Sequence, residues 1–501
     1  GTGGLVLPIE DFDLHIELLP DPGAFFVDGE RNFTLRVTQA DPYPRRTVKV
    51  VALGGPGLSG QRRMGVAYSA DGVLRGYAQR QVDVRPMGSA PQPQSPAPER
   101  NTRRPADIDL TPFVAADEAD LTIVIRRGDD DAGRTLVFTA CSPVVDLPES
   151  PLPPTIDLGN KPDEFAAEIV RKASAESQPL KLFDLLVGNG KSIAGKLPAD
   201  IREALRKVCN KAAAEQRAAS VLIVSEEPYV PWELAVIEPA LPSPGCDSPF
   251  LGAQVALGRW ILSGERPPPH PNRSLAVSEQ AVVVGKYEGV LGWKRLKNAE
   301  TEAEDLEKAW PSTRQVPAAY AEVRDYLHGR KTAEALHFAL HGKFDASGLQ
   351  SGLILIKQRA GQPDILEPDV LEAKHVRGGD LSKSAAFVFL NACQIGAAQQ
   401  LLGDYAGMAE AFLFIGATAV IAPLWSIDDG EARKIALSFY HSAYDDHVPP
   451  AEILRRARAR FTESEALSAS GISPTHLAYQ FFGHPKLTMT RTDKPHRGDD
   501  R

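Results

Sequence analysis

The alternation of apolar and polar positions changes character near residue 150. Before it, apolar and polar side chains alternate every second residue in short runs separated by turn residues. The clearest runs are FDLHIELL (12–19), NFTLRVTQ (32–39), TVKVVAL (47–53), LTIVIRRG (121–128) and TLVFTAC (135–141). No amphipathic helical pattern comes between them. Because such alternation is typical of strands with one buried face, it predicts an antiparallel β-sandwich.

After a proline-rich stretch, PESPLPPTIDLG (148–159), helical patterns alternate with short and almost wholly apolar runs. These runs are SVLIVSE (220–226), QAVVVGKY (280–287), EALHFALHG (334–342), AAFVFLNAC (385–393) and GATAVIAPLW (416–425). Apolar runs between helices are typical of parallel strands that helices cover on both faces. The sequence therefore predicts an α/β fold with a mostly parallel central sheet flanked by helices, preceded by an all-β sandwich-like domain.

These patterns also predict the domain boundaries. The expected parts are a β domain at 1–147, a proline-rich linker at 148–158, an α/β domain at 159–490 and a polar tail at 491–501. A segment rich in Pro, Ser and Gln, residues 86–105, interrupts the β domain. We expect it to be disordered, since such a segment cannot bury enough apolar surface to fold.

Composition narrows the class of protein. The net charge of −9 gives no electrostatic reason to expect nucleic acid as a direct partner. No run of about 18 apolar residues is present, so no membrane contact is expected. The four cysteines have no paired spacing, which argues against a disulfide scaffold or a zinc ribbon. The start of the chain lacks the features of a signal peptide. We expect a cytoplasmic protein that uses neither a cofactor nor a metal.

Two apolar runs end in residues that can perform nucleophilic chemistry. Cys393 closes the run FVFLNAC, and His341, followed by Gly342, closes ALHFALH. The carboxyl ends of parallel strands are where open α/β sheets place their ligand sites. A histidine there can take a proton from the thiol and return it to a leaving amine, while the N–H groups of Gly342 and Cys393 can form an oxyanion hole. The spacing of 52 residues is close to the roughly 50 between His and Cys in caspases.

Two other motifs, a histidine pair and a glycine-rich segment, give weaker evidence for a functional site. His337 lies four positions before His341, a spacing that binds zinc when it falls on a helix, but here the pattern is that of a strand. A zinc hydrolase would also need a third ligand, which the sequence does not reveal. His337 is therefore interpreted as a packing or hydrogen-bonding residue on the same side of the strand as His341. GNGKS (188–192) lacks the first glycine of a phosphate-binding loop, since Leu185 stands there.

Residues 155–490 resemble the CHAT domain, a caspase-like peptidase module related to caspases and separase. The resemblance runs in order along seven segments: SVLIVSEEPYVPWELA (220–235), PFLGAQVALGRWI (249–261), LHFALHGKFD (336–345), SGLILI (351–356), FLNACQIG (389–396), GMAEAFLFIGATAVIAPLWSIDD (407–429) and YQFFGHPKL (479–487). It departs from the family at Asn391, where many members have serine. The combination is far more specific than any one motif.

The resemblance implies a cysteine endopeptidase with His341 as general base and Cys393 as nucleophile. It places Trp425, Asp428 and Asp429 at the pocket for the residue before the cleaved bond. A carboxylate there favours cleavage after Arg or Lys, although acidic residues are also common at a helix N-terminus. The choice between Asp428 and Asp429 stays open. Asp345 and His337 are possible orienting residues for the dyad.

The N-terminal 150 residues resemble no family that we identify. Relatives carry sensor modules there, which implies that the β domain binds a regulatory protein partner and that the enzyme stays latent until a bacterial defence or signalling system activates it. A protein is the expected substrate. The alternative is a catalytically silent scaffold that binds protein partners through the β domain. Arg100, Arg103 and Arg104 also make the 86–105 segment a possible site of self-cleavage.

Overall fold

The chain divides into two compact units. The first comprises Gly1–Glu118, Gly128–Asp131 and Cys141–Leu152, and the second comprises Ala119–Arg127, Ala132–Ala140 and Pro153–Arg501. The computed structural model describes residues 12–20, 25–38, 41, 44–52, 60–70, 73–84, 118–128, 132–147, 154–176, 178–262, 271–290, 292–343, 352–394, 402–425, 427–468 and 473–492. The predicted insert at 86–105, most of the linker and the tail beyond residue 492 lie outside these residues.

The first unit is built from antiparallel strands. They are β1 (Phe12–Pro20), β2 (Phe25–Asp28), β3 (Asn32–Val37), β4 (Lys49–Ala52), β5 (Gly60–Ala70) and β6 (Val73–Val84). One sheet has the order β3-β1-β5-β6, and β2 pairs with β4 in a second sheet. Ile16 and Leu18, two positions apart on β1, are both buried, as the alternating pattern requires. The prediction of a strand-rich N-terminal region is confirmed.

Thirteen of the described strands form one large sheet in the second unit. They are β7 (Leu121–Arg127), β8 (Thr135–Cys141), β9 (Thr155–Asp157), β10 (Ala219–Ser225), β11 (Val255–Ile261), β13 (Gln280–Val284), β14 (Thr313–Pro317), β15 (Ala335–Lys343), β16 (Gly352–Arg359), β17 (Gln362–Leu371), β18 (Phe387–Gln394), β19 (Ala419–Pro423) and β20 (Tyr479–Phe482). Two further strands, β12 (Ser274–Val277) and β21 (Thr488–Arg491), pair with each other in parallel.

Most of the large sheet forms two parallel blocks, and the antiparallel pair β8–β9 extends one edge beyond β7. In one block, β14, β13, β15, β18 and β19 are neighbours and run parallel. The other block contains β20, β11, β10 and β7, again parallel. An antiparallel pairing of β19 with β20 joins them. The hairpin of β16 and β17 attaches to the carboxyl end of β15. The predicted mostly parallel sheet is confirmed.

Strands β7 and β8 are a correction to the predicted organisation, which assigned both to the N-terminal β domain. The structure places them in the large sheet, where β7 runs parallel to β10 with Ile123 opposite Ile223. The misassignment has a physical cause. Thr122 and Arg126 look like the exposed positions of a half-buried strand, yet they are 6% and 5% exposed because both faces of β7 are covered.

Helices flank the large sheet. They are α1 (Pro162–Ala175), α2 (Pro179–Gly195), α3 (Ala199–Ala214), α4 (Leu251–Gln254), α5 (Lys297–Ala309), α6 (Tyr320–Leu327), α7 (Ala373–Arg377), α8 (Leu402–Phe414), α9 (Asp429–Tyr444), α10 (Pro450–Ala459), α11 (Glu463–Leu467) and α12 (Thr475–Ala478). Helix α5 packs against α9 and against β13 to β15. The GNGKS segment lies inside α2 and forms no loop. Within the described residues, no helix has both the length and the apolar character needed to span a bilayer.

Candidate active site

The register of two neighbouring strands brings the predicted dyad together. Strands β15 and β18 run parallel, and His341 is paired directly with Cys393. Neighbouring strands lie about 4.8 Å apart, so the two positions are adjacent on one face of the sheet. Both lie near the carboxyl ends of their strands, as the sequence predicted. The side chain of Cys393 and all of Asp345 lie outside the part of the chain that the structure describes.

The imidazole of His341 is buried between aromatic rings. The ring centroid of Tyr287 is 4.4 Å from that of His341, and the Trp293 centroid is 5.1 Å away. Nε2 of His341 lies 2.7 Å from the main-chain oxygen of Lys294. Because a carbonyl oxygen only accepts, Nε2 carries the proton of the neutral ring, and Nδ1 is the nitrogen that can accept one. A ring in this tautomer can act as a general base only through Nδ1.

Tyr287 also fixes the main chain of His341. Its hydroxyl accepts a hydrogen bond from the His341 N–H (3.0 Å) and donates one to the carbonyl of Ile354 on β16 (2.6 Å). The Tyr287 ring packs so closely over Gly285 that a Cβ at that glycine would overlap it. The loop after β13 is therefore shaped to deliver this hydroxyl to the end of β15.

His337 lies on the same face of β15 as His341 and is completely buried. Its Nε2 lies 2.5 Å from Oε1 of Glu302, and its Nδ1 lies 3.2 Å from the hydroxyl of Tyr440. Both ring nitrogens are thus occupied by protein groups. Among the described residues, no group of three or more His, Cys, Asp or Glu side chains is placed to hold a metal ion.

Asn391 extends this hydrogen-bond network to β18. Its Nδ2 donates to both oxygens of Glu302 (2.8 and 2.9 Å), and its Oδ1 accepts from the hydroxyl of Tyr479 (2.6 Å). Asn391 is 3% exposed and lies two positions before Cys393, on the same face. Where serine would have a single donor, Asn391 thus has two amide hydrogens for the carboxylate and a separate oxygen for Tyr479.

The proposed pocket residues lie at the start of α9. Asp428 is exposed and caps this helix, since its Oδ1 accepts from the Glu431 N–H (2.9 Å). Asp429 is half-buried, and its Oδ2 accepts from the N–H of Asn298 (3.3 Å). Burial raises the pKa of Asp429, against the lowering effect of the Asn298 hydrogen bonds. Trp425 is buried at 2% exposure.

A short segment connects these groups. The Lys294 carbonyl faces His341, and the Asn298 N–H four residues later contacts Asp429. This segment of residues 294–298 therefore contacts both Asp429 and His341, the residue with which Cys393 is paired. Gly342 is buried and pairs with Gln394 and Leu353. Cys209 is buried within α3, where burial raises the pKa of its thiol to about 12, so it is a poor nucleophile.

Sequence reasoning missed Tyr287, Trp293, Lys294 and Glu302. Glu302 had a detectable signal, because it interrupts the otherwise apolar face of α5 formed by Ala299, Ala303 and Leu306. Lys294 had none, since any residue can supply a main-chain oxygen. Tyr287 follows a strand that neighbours β15 in space, and the sequence alone does not give the order of strands.

Comparison with known proteins identifies one family and several distantly similar structures. The family model described as the CHAT domain matches residues 201–487. The Arg-specific cysteine proteinase gingipain R is 13% identical with a TM-score of 0.35, over 59% of this chain and 70% of that chain. Separase in the Saccharomyces cerevisiae separase–securin complex is 9% identical with a TM-score of 0.40, over 74% of this chain and 30% of that chain. No curated protein sequence matches.

Proposed function

This chain belongs to the CHAT domain family, and on that premise we propose that it is a cysteine endopeptidase with His341 and Cys393 as its dyad. The observation that carries the proposal is the pairing of these two residues on adjacent parallel strands. The contact of His341 Nε2 with the Lys294 carbonyl supports it, because this contact leaves Nδ1 as the basic nitrogen. A third acidic residue is not required for this arrangement.

In the proposed reaction, Nδ1 of His341 takes the proton of the Cys393 thiol, and the thiolate attacks the carbonyl carbon of the substrate. The N–H groups of Gly342 and Cys393 stabilise the oxyanion of the tetrahedral intermediate. The imidazolium gives its proton to the leaving amine, and the Lys294 carbonyl stabilises that cation. A water molecule that His341 deprotonates then hydrolyses the thioester and regenerates the thiol.

We assign the preference for Arg or Lys before the cleaved bond to Asp429. Asp428 is already engaged in capping α9. Asp429 is half-buried beside the segment that also contacts His341. A partly desolvated carboxylate binds a guanidinium or ammonium group more strongly than an exposed one does. The substrate class is therefore a protein with an accessible basic residue.

Regulation forms the less direct part of the proposal. The N-terminal β unit would bind a regulatory protein partner, and the peptidase would remain latent until that partner signals, as in bacterial defence systems. Self-cleavage at Arg100, Arg103 or Arg104 is part of the same hypothesis, and these residues lie outside the described part of the chain. Cleavage would give an intact mass lower than that of the Cys393→Ala variant.

The test is cleavage of fluorogenic peptides with Arg, Lys, Asp or Leu before the scissile bond, with and without EDTA. We expect cleavage after Arg and Lys that EDTA spares and that Cys393→Ala and His341→Ala each reduce about 10³-fold or more. Cys246→Ala is the matched cysteine control and should keep full activity. If Cys393→Ala cleaves as fast as the wild type, the dyad is wrong. A complete lack of cleavage would favour the scaffold alternative and require a repeat with a bound partner.

The same peptides test the pocket. Asp429→Asn should raise KM for Arg peptides at least about tenfold, because a charge-assisted contact is lost. Asp428→Asn keeps a side-chain oxygen that can cap α9, so it should change stability by less than about 1 kcal/mol and leave selectivity unchanged. If Asp428→Asn raises KM for Arg peptides and Asp429→Asn does not, the pocket carboxylate is that of Asp428. Cleavage only after Asp would contradict a preference for basic residues.

A further inference from the structure

Glu302 is a buried carboxylate that the proposed reaction does not use. We propose that Glu302 is a positioning residue, which holds the ends of β15 and β18 so that the positions of His341 and Cys393 stay paired. This inference rests on the proposed dyad and adds a residue that acts on it from behind. It is carried by the burial of Glu302, by its contacts to both strands and by the place of α5 beside the site.

The burial of Glu302 needs an explanation. The side chain is 1% exposed and lies on the inner face of α5, between Ala299, Ala303 and Leu306. A carboxylate in such a place is costly unless hydrogen bonds compensate for the lost water. A leucine at this position would pack the helix at no such cost. The carboxylate therefore serves its contacts and not the packing of α5.

Those contacts join the two strands of the dyad. Oε1 of Glu302 accepts from His337 on β15, and both of its oxygens accept from Asn391 on β18. His337 is four positions before His341, and Asn391 is two positions before Cys393. Since side chains two and four positions apart share a face of a strand, the contacts lie directly behind the dyad. The pairing of β15 with β18 runs only one step further, to Gly342 and Gln394.

The segment that leads into α5 also supplies the acceptor for the base. Lys294, whose carbonyl faces His341 Nε2, lies three residues before α5 begins. Asn298 in the first turn of α5 contacts Asp429. By fixing α5 to both strands, Glu302 sets the position of that carbonyl relative to the imidazole. One carboxylate thus couples the nucleophile strand, the base strand and the acceptor of the base.

Two tyrosines complete the network at its ends. The hydroxyl of Tyr440 on α9 contacts Nδ1 of His337, and the hydroxyl of Tyr479 contacts Oδ1 of Asn391. Every polar atom of the His337 and Asn391 side chains therefore has a partner. A network that is fully satisfied holds its members in one arrangement, whereas a partly satisfied one does not.

The test variant is Glu302→Gln, which places an amide donor against the donors of Asn391 and His337. Its reciprocal, Glu302→Gln with Asn391→Asp, restores the pattern. The oxygen of the introduced amide would accept from His337, and its nitrogen would donate to the new carboxylate, which also accepts from Tyr479. Leu306→Ala is the matched control, because it damages the same buried face of α5 without touching the network.

The readouts are kcat and KM for an Arg peptide, together with the rate of Cys393 alkylation by iodoacetamide from pH 5 to 9. The alkylation is followed by mass spectrometry of the Cys393 peptide and needs no substrate. Glu302→Gln should lower kcat about 10- to 100-fold and leave KM within about twofold, as expected for misplaced reacting groups. The pH midpoint of alkylation should rise toward that of His341→Ala.

The reciprocal variant should have a kcat at least about tenfold higher than that of Glu302→Gln. The pH midpoint of its Cys393 alkylation should return to the wild-type value. Leu306→Ala should lower the melting temperature and keep the wild-type midpoint. If Glu302→Gln only lowers the melting temperature, with kcat and the midpoint unchanged, the residue is structural and the inference is wrong. If Glu302→Gln does not fold, Tyr479→Phe tests the same network from its end, and a wild-type midpoint there overturns the inference.

These readouts separate the inference from the proposed function. If no peptide is cleaved with or without a bound partner, but the Cys393 midpoint depends on His341 and on Glu302, the positioning role stands and the endopeptidase proposal fails. If cleavage depends on the dyad but not on Glu302, the proposed function stands and the inference fails. If Cys393 alkylation does not depend on His341, both fail.

Discussion

At the scale of single residues, Asp120 joins β7 to the α/β unit. This carboxylate is 1% exposed and accepts hydrogen bonds from the guanidinium of Arg217 (2.6 and 3.0 Å) and from the N–H and hydroxyl of Ser220 on β10 (2.7 and 2.9 Å). Burial alone would raise the pKa of Asp120, but these hydrogen bonds, together with the positive charges of Lys486 and Arg217, outweigh it and lower the pKa. Its stabilising effect is therefore present above the ordinary pKa and is lost as pH falls through the lowered value.

Asp120→Asn should lower the free energy of unfolding at pH 7 by about 1–3 kcal/mol, because an amide cannot accept from all four donors. The difference from the wild type should shrink as the pH falls below about 4, the ordinary pKa of an aspartate, because the unfolded state then binds a proton that folded Asp120 does not. Urea unfolding at pH 7, 5 and 3 measures both effects. Glu168→Gln, which removes an exposed ion pair with Lys172 on α1, is the control and should change stability by less than about 1 kcal/mol. If the difference in the free energy of unfolding between wild type and Asp120→Asn is the same at pH 7, 5 and 3, the stabilising effect does not depend on the protonation of Asp120.

The sequence pointed to His341 and Cys393, the proposed dyad, because each ends a clear apolar run. It did not reveal what holds them. The network of Glu302, His337 and Asn391 joins a helix to two strands across 35 and 89 positions of sequence. Such contacts depend on the order of strands and on which helix covers them. A single buried glutamate on a helical face signals a partner but does not identify it.

At the scale of elements, the loop after β13 and the hairpin β16–β17 hold the end of β15. The Tyr287 hydroxyl links the His341 N–H to the Ile354 carbonyl. Tyr287→Phe keeps the ring against His341 and removes this link. We expect kcat to fall up to about tenfold with little change in KM, since the dyad is displaced but the substrate pocket is not. Steady-state kinetics checks this, with Tyr326→Phe on α6 as control. An unchanged kcat would show that ring packing alone holds His341.

Strands were predictable where apolar runs are continuous. The patterns at 334–342 and 385–393 correspond to β15 and β18 within two residues. The error at β7 arose because a strand covered on both faces can carry buried polar residues, such as Thr122 and Arg126, at alternate positions. Hydropathy cannot tell such a residue from an exposed one. The strand with which β7 pairs decides whether such a position is buried, and this pairing is a property of the tertiary structure.

At the scale of the whole molecule, the placement of β7 moves the start of the α/β unit from residue 159 to about residue 119. A chain that begins at residue 159 would lack β7, β8 and β9 and would leave β10 at the edge of the sheet. All seven residues of β10 are buried in the intact unit. Removal of its neighbour would expose a row of unpaired main-chain groups flanked by Val221 and Ile223. Such an edge is a template for aggregation.

A fragment of residues 118–501 should therefore fold, whereas a fragment of residues 159–501 should aggregate. Size-exclusion chromatography and urea unfolding distinguish the two outcomes. The longer fragment should elute as a defined species and unfold cooperatively. The shorter fragment should elute in the void volume, because the lost strand also removes the Asp120 contacts to Ser220. If the shorter fragment is as well behaved as the longer one, β7 is dispensable and the boundary predicted from the sequence is the functional one. If only the longer fragment is well behaved, β7 is an integral strand of the sheet that carries His341 and Cys393.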